Sequence, residues 1–380
     1  MARRGGPPGD TKLLAMAPAP HIKPLTSLRF FAALWVVLFH YWPHLAVATT
    51  PALVSKGYLG VELFFVLSGF ILCHVYLPQV EQGSFRYRDF LWARLARIYP
   101  MHLVTLIGMG LMAGAALAIG LSVDPNVLSF ASLPANLTLT QAWGFAPVAG
   151  WNHPSWSISA EWFAYVSFPA FALLAIGMRR WPGVAVAAAL AFMAVLYPAF
   201  EAVAGFPLTK ATNAWGALRI VPCFALGCAL YLAWRSGVAD GRKALAGAVF
   251  FTIAVIAAAH FRAPDLVIVS GFGGLIITLA QVSKAGSRRF SHPFLVYLGE
   301  ISYSVYMVCI PWEVLFVNVA VKIGHFSGKQ LPPLLWLIFL VTLMPIAATF
   351  HHLIEKPARA RMKLIAKSNP AHNFATATLR

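Results

Sequence analysis

Charge is what this chain has least of. Asp, Glu, Lys and Arg make up 11% of its 380 residues, with 12 acidic residues against 29 basic ones. Soluble domains carry about 25% charged residues, so a water-soluble globule is excluded. Cysteine is also sparse. Cys73, Cys223, Cys228 and Cys309 fall in apolar runs, at spacings that fit neither a zinc site nor a disulfide framework. They read as small core residues, and no metal is expected. The opening stretch MARRGGPPGDTKLLAMAPAP is basic and broken by Pro and Gly, which does not make a cleavable signal peptide. Residues 1–22 read as a disordered cytoplasmic tail. No repeat, soluble domain or low-complexity segment is visible.

Apolar residues dominate, at 59% of the chain. Runs long enough to cross a bilayer lie near 25–47, 58–78, 99–121, 156–177, 183–204, 215–234, 243–261, 264–282, 297–320 and 333–354. The fold expected is an all-α, polytopic membrane bundle of about ten transmembrane helices. Its weakest boundary is His260-Phe261-Arg262-Ala263-Pro264. The bundle is assigned to residues 23–360 and a basic tail to 361–380.

Basic residues set the orientation. With the N-terminus inside, the outer segments hold just Lys56, Lys210, Arg262, Lys322 and Lys329. Apart from Arg29 and Arg219 within spans, all other Lys and Arg lie inside, so both termini are cytoplasmic. The loop 122–155 has no Lys or Arg and belongs outside. The net charge of +17 is a topology signal, and no nucleic-acid partner follows from it. Asn136-Leu137-Thr138 matches a glycosylation sequon, a motif too short to carry weight.

Polar groups inside spans need a reason. Arg29 and His40 bracket ten apolar residues in LRFFAALWVVLFH. Eleven residues are about three helical turns, so both lie on one face, roughly 16 Å apart along the axis. A neutral imidazole near mid-membrane can act as a general base. Glu62, Glu161, Glu300 and Glu313 also fall in spans, and either Glu62 or Glu161 could orient the imidazole or an acceptor. Arg94 and Arg97 in FLWARLARIYP share a helical face. They form an anion clamp suited to phosphate, or they are positive-inside decoration. In PSWSISAEWFAYV, Ser157 and Glu161 are i, i+4 neighbours. Trp151, Trp156 and Trp162 suit either an interfacial belt or the wall of an acceptor cleft, to which His153 could belong. Tyr303 and Tyr306 share a face of the next-to-last span, with helix packing as their default role. Glu355 is expected to end the last helix, stopped by Pro357, and to pair with an arginine.

Together these motifs resemble the membrane acyltransferase-3 family, bacterial enzymes that O-acylate surface glycans, exopolysaccharides, nodulation factors and macrolides. LRFFAALWVVLFH is similar to its opening Arg–x10–His motif and GYLGVELFFVLSGFIL to its second-helix motif. FLWARLARIYP matches its Arg–x2–Arg segment, SWSISAEWFAY its Trp-Ser-x-Ser-x-Glu segment, LGEISYSVYM its Ser-Tyr-Ser-x-Tyr segment and IEKPAR its Glu-x-Pro signature. The resemblance spans Leu25 to Arg359. It implies a multi-pass protein of the bacterial inner membrane that transfers an acyl group, usually acetyl, from cytoplasmic acyl-CoA to a hydroxyl, usually on a sugar. By motif match His40 is the catalytic base, supported by Arg29, Glu62 or Glu161. Arg94 and Arg97, with Arg29, hold the CoA phosphates. Trp156, Ser157, Glu161, Tyr303 and Tyr306 line the acceptor side. Direct transfer and an acyl-histidine relay both remain open.

Two positions depart from the family. Cys309 stands where many members have histidine, and Trp162 follows Glu161 where a second Glu is common. A proton-coupled carrier of a lipid-linked sugar or a carboxylate is the competing function.

Overall fold

In the computed structural model the apolar stretch between Arg29 and His40 lies within the first helix, α1 (Lys23–Tyr41). The structure describes residues 20–237, 243–286, 290–326 and 328–368. After α1 come α2 (Gly60–Glu81), α3 (Tyr87–Ala118), α4 (Trp156–Val166), α5 (Phe168–Met178), α6 (Pro182–Ala204) and α7 (Gly216–Arg235). Then follow α8 (Ala244–His260), α9 (Asp265–Lys284), α10 (Pro293–Gly324), α11 (Pro333–Phe350) and α12 (Lys356–Ser368). Among the described residues the one β pairing is an isolated bridge between Leu45 and Leu331. This is a polytopic membrane bundle.

Each of the ten expected segments is helical, but fewer qualify as complete spans. Eight stretches are long and apolar enough to cross a membrane, and a bent pair makes a possible ninth. That pair is α4 and α5, which meet at 58°. Pro169 in the first turn of α5 supplies no backbone N–H to continue α4. The seventh segment, α8, has 17 residues, about 25 Å of helix, against a hydrocarbon core of about 30 Å. The boundary at His260–Pro264 is a real turn, with Arg262 at φ 55° and Pro264 ahead of α9.

The last helix does not stop at Glu355. A π-helical turn, His351–Glu355, joins α11 to α12. Pro357 falls in the first turn of α12, where a missing N–H costs little. The chain expected to form a tail therefore continues as helix to Ser368. The remainder of both tails, residues 1–19 and 369–380, and the loop arginines Arg242, Arg288 and Arg289 lie outside the described residues.

Small residues let the central helices meet at backbone distance, as membrane bundles require. A Cβ on Gly227 of α7 would collide with the Val66 carbonyl of α2, and one on Gly69 of α2 with the Phe224 carbonyl of α7. Gly299 of α10 faces the Thr26 carbonyl of α1 in the same way. Gly227→Leu is therefore expected to cost at least about 1–3 kcal/mol from overpacking. The measure is the unfolding midpoint of the purified protein in detergent. A midpoint equal to wild type would mean the α2–α7 seam has room to open. Outward, α6, α8 and α11 expose Val195, Val203, Phe250, Ile253, Leu334 and Val341, a surface suited to lipid chains.

Residues 122–155 fold over the end of the bundle remote from the Lys23 end of α1. Trp151 Nε1 donates to the Ser129 carbonyl, and Asn152 Nδ2 to the Met307 carbonyl in α10. The sequon asparagine, Asn136, is buried here and donates to the Ser132 carbonyl, so it is no acceptor for a glycan.

Candidate active site

Among the described residues, two cavities within the bundle bring the expected site residues together. Residues near both ends of the described chain, from His21 to Arg359, line the first, which has a volume of about 660 Å³. The second, of about 300 Å³, is lined by the His40 end of α1 and the segments before α4 and α7. The two share no lining residue.

Arginines from three helices converge on the first cavity. Arg29 of α1 lies against the Phe64 ring at 5.9 Å. Arg94 of α3 donates to the Tyr76 hydroxyl at 3.2 Å and sits over the Tyr76 and Tyr165 rings. Arg97 pairs with Glu355 at 3.2 Å and lies over Tyr303. Glu355 also accepts from Ser304 Oγ of α10 and pairs with His351 in its own π turn. The expected arginine partner of Glu355 is thus Arg97. Arg359, four residues on, lines the same cavity because the helix continues past Pro357.

This surroundings set suits a polyanion. Arg29, Arg94, Arg97, Lys356 and Arg359 line the cavity, against Glu161, Glu300 and Glu355. Buried Nε atoms of Arg94 and Arg359 have no hydrogen-bond partner in the protein. A buried donor without a partner is costly, and a phosphate oxygen would satisfy it. Arg86 and Arg88 are not among the lining residues.

His40 lines the second cavity together with His153. Among the described residues no group hydrogen-bonds to the His40 ring, which leaves both nitrogens for a ligand. Phe39 sets its ring edge-on to His40 and to Tyr58. Trp156 and Tyr306 also line this cavity. Ser157 stands behind Tyr306: the two hydroxyls bond at 2.7 Å, and Tyr306 also donates to the Pro154 carbonyl. Trp151 and Trp156 are buried, so neither forms an interfacial belt.

Three expected residues sit elsewhere. Glu62 is fully buried and gripped by Arg219 of α7, whose Nε and Nη2 both donate to its carboxylate. It does not orient His40. Glu161 lines the first cavity and accepts from Ser68 and Tyr165. Five residues below Trp156 on α4, it has descended about 7.5 Å out of the second. Tyr303 also lines the first cavity and donates to the Ile98 carbonyl. Cys309 lines neither. Its buried thiol donates to the Tyr306 carbonyl, and all four cysteines are free.

The partition between the cavities is thin. On α2 the second cavity reaches Val61 and the first reaches Phe64; on α10 they reach Tyr306 and Tyr303. Three residues span about 4.5 Å of helix. Across that turn the Phe64 and Tyr306 rings meet edge to face at 6.3 Å.

A cationic pocket and a free imidazole, facing one another through one helical turn of a membrane bundle, are the parts of a group-transfer enzyme. The chain belongs to the acyltransferase-3 family, whose acyltransferase-domain profile matches residues 23–352. It is a multi-pass membrane acyltransferase, and that membership sets aside the carrier reading. It is similar to the protein named acyltransferase MdmB of Streptomyces mycarofaciens, with 32% identity over 309 residues, 75% of this chain and 77% of that one. It is also similar to nodulation protein 10 of Rhizobium leguminosarum bv. viciae, with 25% identity over 366 residues, 90% of this chain and 94% of that one. No solved structure matches it.

Proposed function

We propose that the protein transfers an acetyl or similar acyl group from acyl-CoA to a hydroxyl of a sugar or glycan acceptor. The first cavity takes the donor from the cytoplasm, and the second takes the acceptor from the outer side of a bacterial cytoplasmic membrane. The observation that carries this reading is the pairing of two cavities: Arg29, Arg94, Arg97 and Arg359 line one, and His40 lines the other, one helical turn away at Phe64 and Tyr306.

Arg94 and Arg359 hold CoA phosphates with their unpartnered Nε atoms, and Arg97, fixed by Glu355, adds to the field. The thioester arm passes the Phe64–Tyr306 pair to reach His40. His40 takes the proton of the acceptor hydroxyl. The hydroxyl oxygen attacks the thioester carbonyl carbon, the C–S bond breaks, and the departing thiolate of CoA takes the proton. Holding nucleophile and thioester together in a dry cleft supplies much of the acceleration. Arg29 serves the donor, because roughly 16 Å of helix separates it from His40.

The test is release of free CoA from acetyl-CoA by purified protein in lipid, with and without a panel of glycan acceptors, together with calorimetry of acetyl-CoA binding. Acceptor-dependent release is expected. A charge-assisted hydrogen bond is worth about 1.5–3 kcal/mol, so Arg94→Ala is expected to weaken acetyl-CoA binding about 10- to 100-fold. Unchanged affinity in this variant would move the donor out of the first cavity. No release and no binding would end the acyl-CoA reading.

A further inference from the structure

Asp265, the first residue of α9, collects three donors from two separate segments. Lys56 Nζ lies 2.6 Å from Oδ1. The Tyr58 hydroxyl donates to the carboxylate at 2.8 Å, and Thr209 Oγ1 donates to Oδ2. Lys56 and Tyr58 precede α2, and Thr209 lies in the short turn Leu208–Lys210 before α7. Asp265 is not a lining residue of either cavity, whereas Tyr58, Thr209 and Lys210 line the second one with His40. Nothing in the sequence motifs accounts for this cluster.

The cluster fixes what the wall can recognise. A hydroxyl carries one proton. Tyr58 and Thr209 both commit theirs to Asp265, so each hydroxyl has only lone pairs left to offer a ligand. Beside them stands Lys210, an ammonium over the Tyr58 ring at 5.7 Å, which can only donate. Acceptors next to a donor complement a hydroxyl group, which needs both. His40 engages the hydroxyl that reacts, so this wall fits a second hydroxyl of the same molecule.

We propose that Tyr58, Thr209 and Lys210 form a subsite for a second, neighbouring hydroxyl of the acceptor, and that Asp265 is its positioning residue. The substrate class is then a vicinal diol or polyol rather than a simple alcohol. This rests on the acyl-transfer reading above.

The experiment compares 1,2-propanediol with 1-propanol as acceptors, both at low concentration with acetyl-CoA, and quantifies the acetyl esters by mass spectrometry. A site built to bond a hydroxyl rejects an analogue that lacks it. The wild type is expected to favour the diol by at least about tenfold, well beyond the factor of two from its extra hydroxyl. In Asp265→Asn the amide brings donors of its own, which frees the Tyr58 and Thr209 protons. That variant and the near-isosteric Thr209→Val are expected to bring the ratio below about three. Calorimetric binding of acetyl-CoA, which occupies the other cavity, checks that each variant is folded. Thr209→Val leaves the Lys56 ion pair intact, so it answers the question should Asp265→Asn fail to fold. Equal use of the two alcohols by wild type, or a wild-type ratio retained in both variants, overturns the subsite alone. No ester from either alcohol while glycan acceptors still release CoA overturns the subsite alone, and no release with any acceptor overturns the acyl-transfer reading and the subsite with it.

Discussion

Alanine at His40 is expected to reduce acyl transfer by about 10²- to 10⁴-fold, the range that a positioned general base contributes. Binding of acetyl-CoA is expected to stay near wild type, because Arg29, Arg94, Arg97 and Arg359 line a cavity that shares no residue with the one holding His40. The split between rate and donor affinity is the informative result. A residue that merely supported the fold would lower both. His153 lines the same cavity, so His153→Ala is the natural control for the identity of the base. Transfer retained in His40→Ala and lost in His153→Ala would exchange their roles. Rapid quenching without acceptor separates the two chemical routes. A hydroxylamine-sensitive acyl-protein in wild type, absent from His40→Ala, would mark an acyl-histidine relay. Absence of such a species, with free CoA formed only once acceptor is added, would mark direct transfer.

What the sequence made legible follows from helix geometry. The spacing of Arg29 and His40 placed both on one face of a single helix, and the structure keeps them on α1. Arg94 and Arg97 could be read together for the same reason. Relations between helices were not legible. Glu62 and Arg219 lie 157 positions apart, and nothing local in GYLGVELFF shows that its carboxylate is already spent. Glu161 and Ser157 look like one site on a helical wheel, yet Glu161 lines the first cavity while Ser157 bonds to Tyr306 behind the wall of the second. Arg359 was hidden by Pro357, which reads as a helix stop. The π turn before it absorbs the break and carries the arginine back over the first cavity. Asp265 gave no signal because its three partners come from segments that meet only when α2, α7 and α9 are assembled.

The buried Glu62–Arg219 pair carries the largest stability prediction. Glu62 is 0% and Arg219 3% exposed. The guanidinium donates through Nε and Nη2 to the carboxylate and through Nη1 to the Ala211 carbonyl, and it lies 4.6 Å from the Trp156 ring. Arg219→Ala removes the partner of a carboxylate that water does not reach. Breaking a buried pair from one side costs about 3–5 kcal/mol, enough to depress the unfolding midpoint and the yield of folded protein. Lysine is a poor substitute, because an ammonium cannot repeat the forked contact. The decisive comparison is the double variant Glu62→Leu with Arg219→Met. Replacing both charges by apolar groups of similar volume removes the desolvation cost together with the attraction, and such swaps are often neutral. The double variant is therefore expected to be more stable than Arg219→Ala, with a coupling energy readable from the complete cycle. The same variant separates fold from function. Arg219 and Trp156 both line the second cavity, so a stable, donor-binding double variant that transfers slowly would show that the pair also shapes the acceptor site. A double variant no more stable than Arg219→Ala would mean that Arg219 acts through the Ala211 carbonyl and Trp156, and that the ion pair itself is not what the bundle depends on.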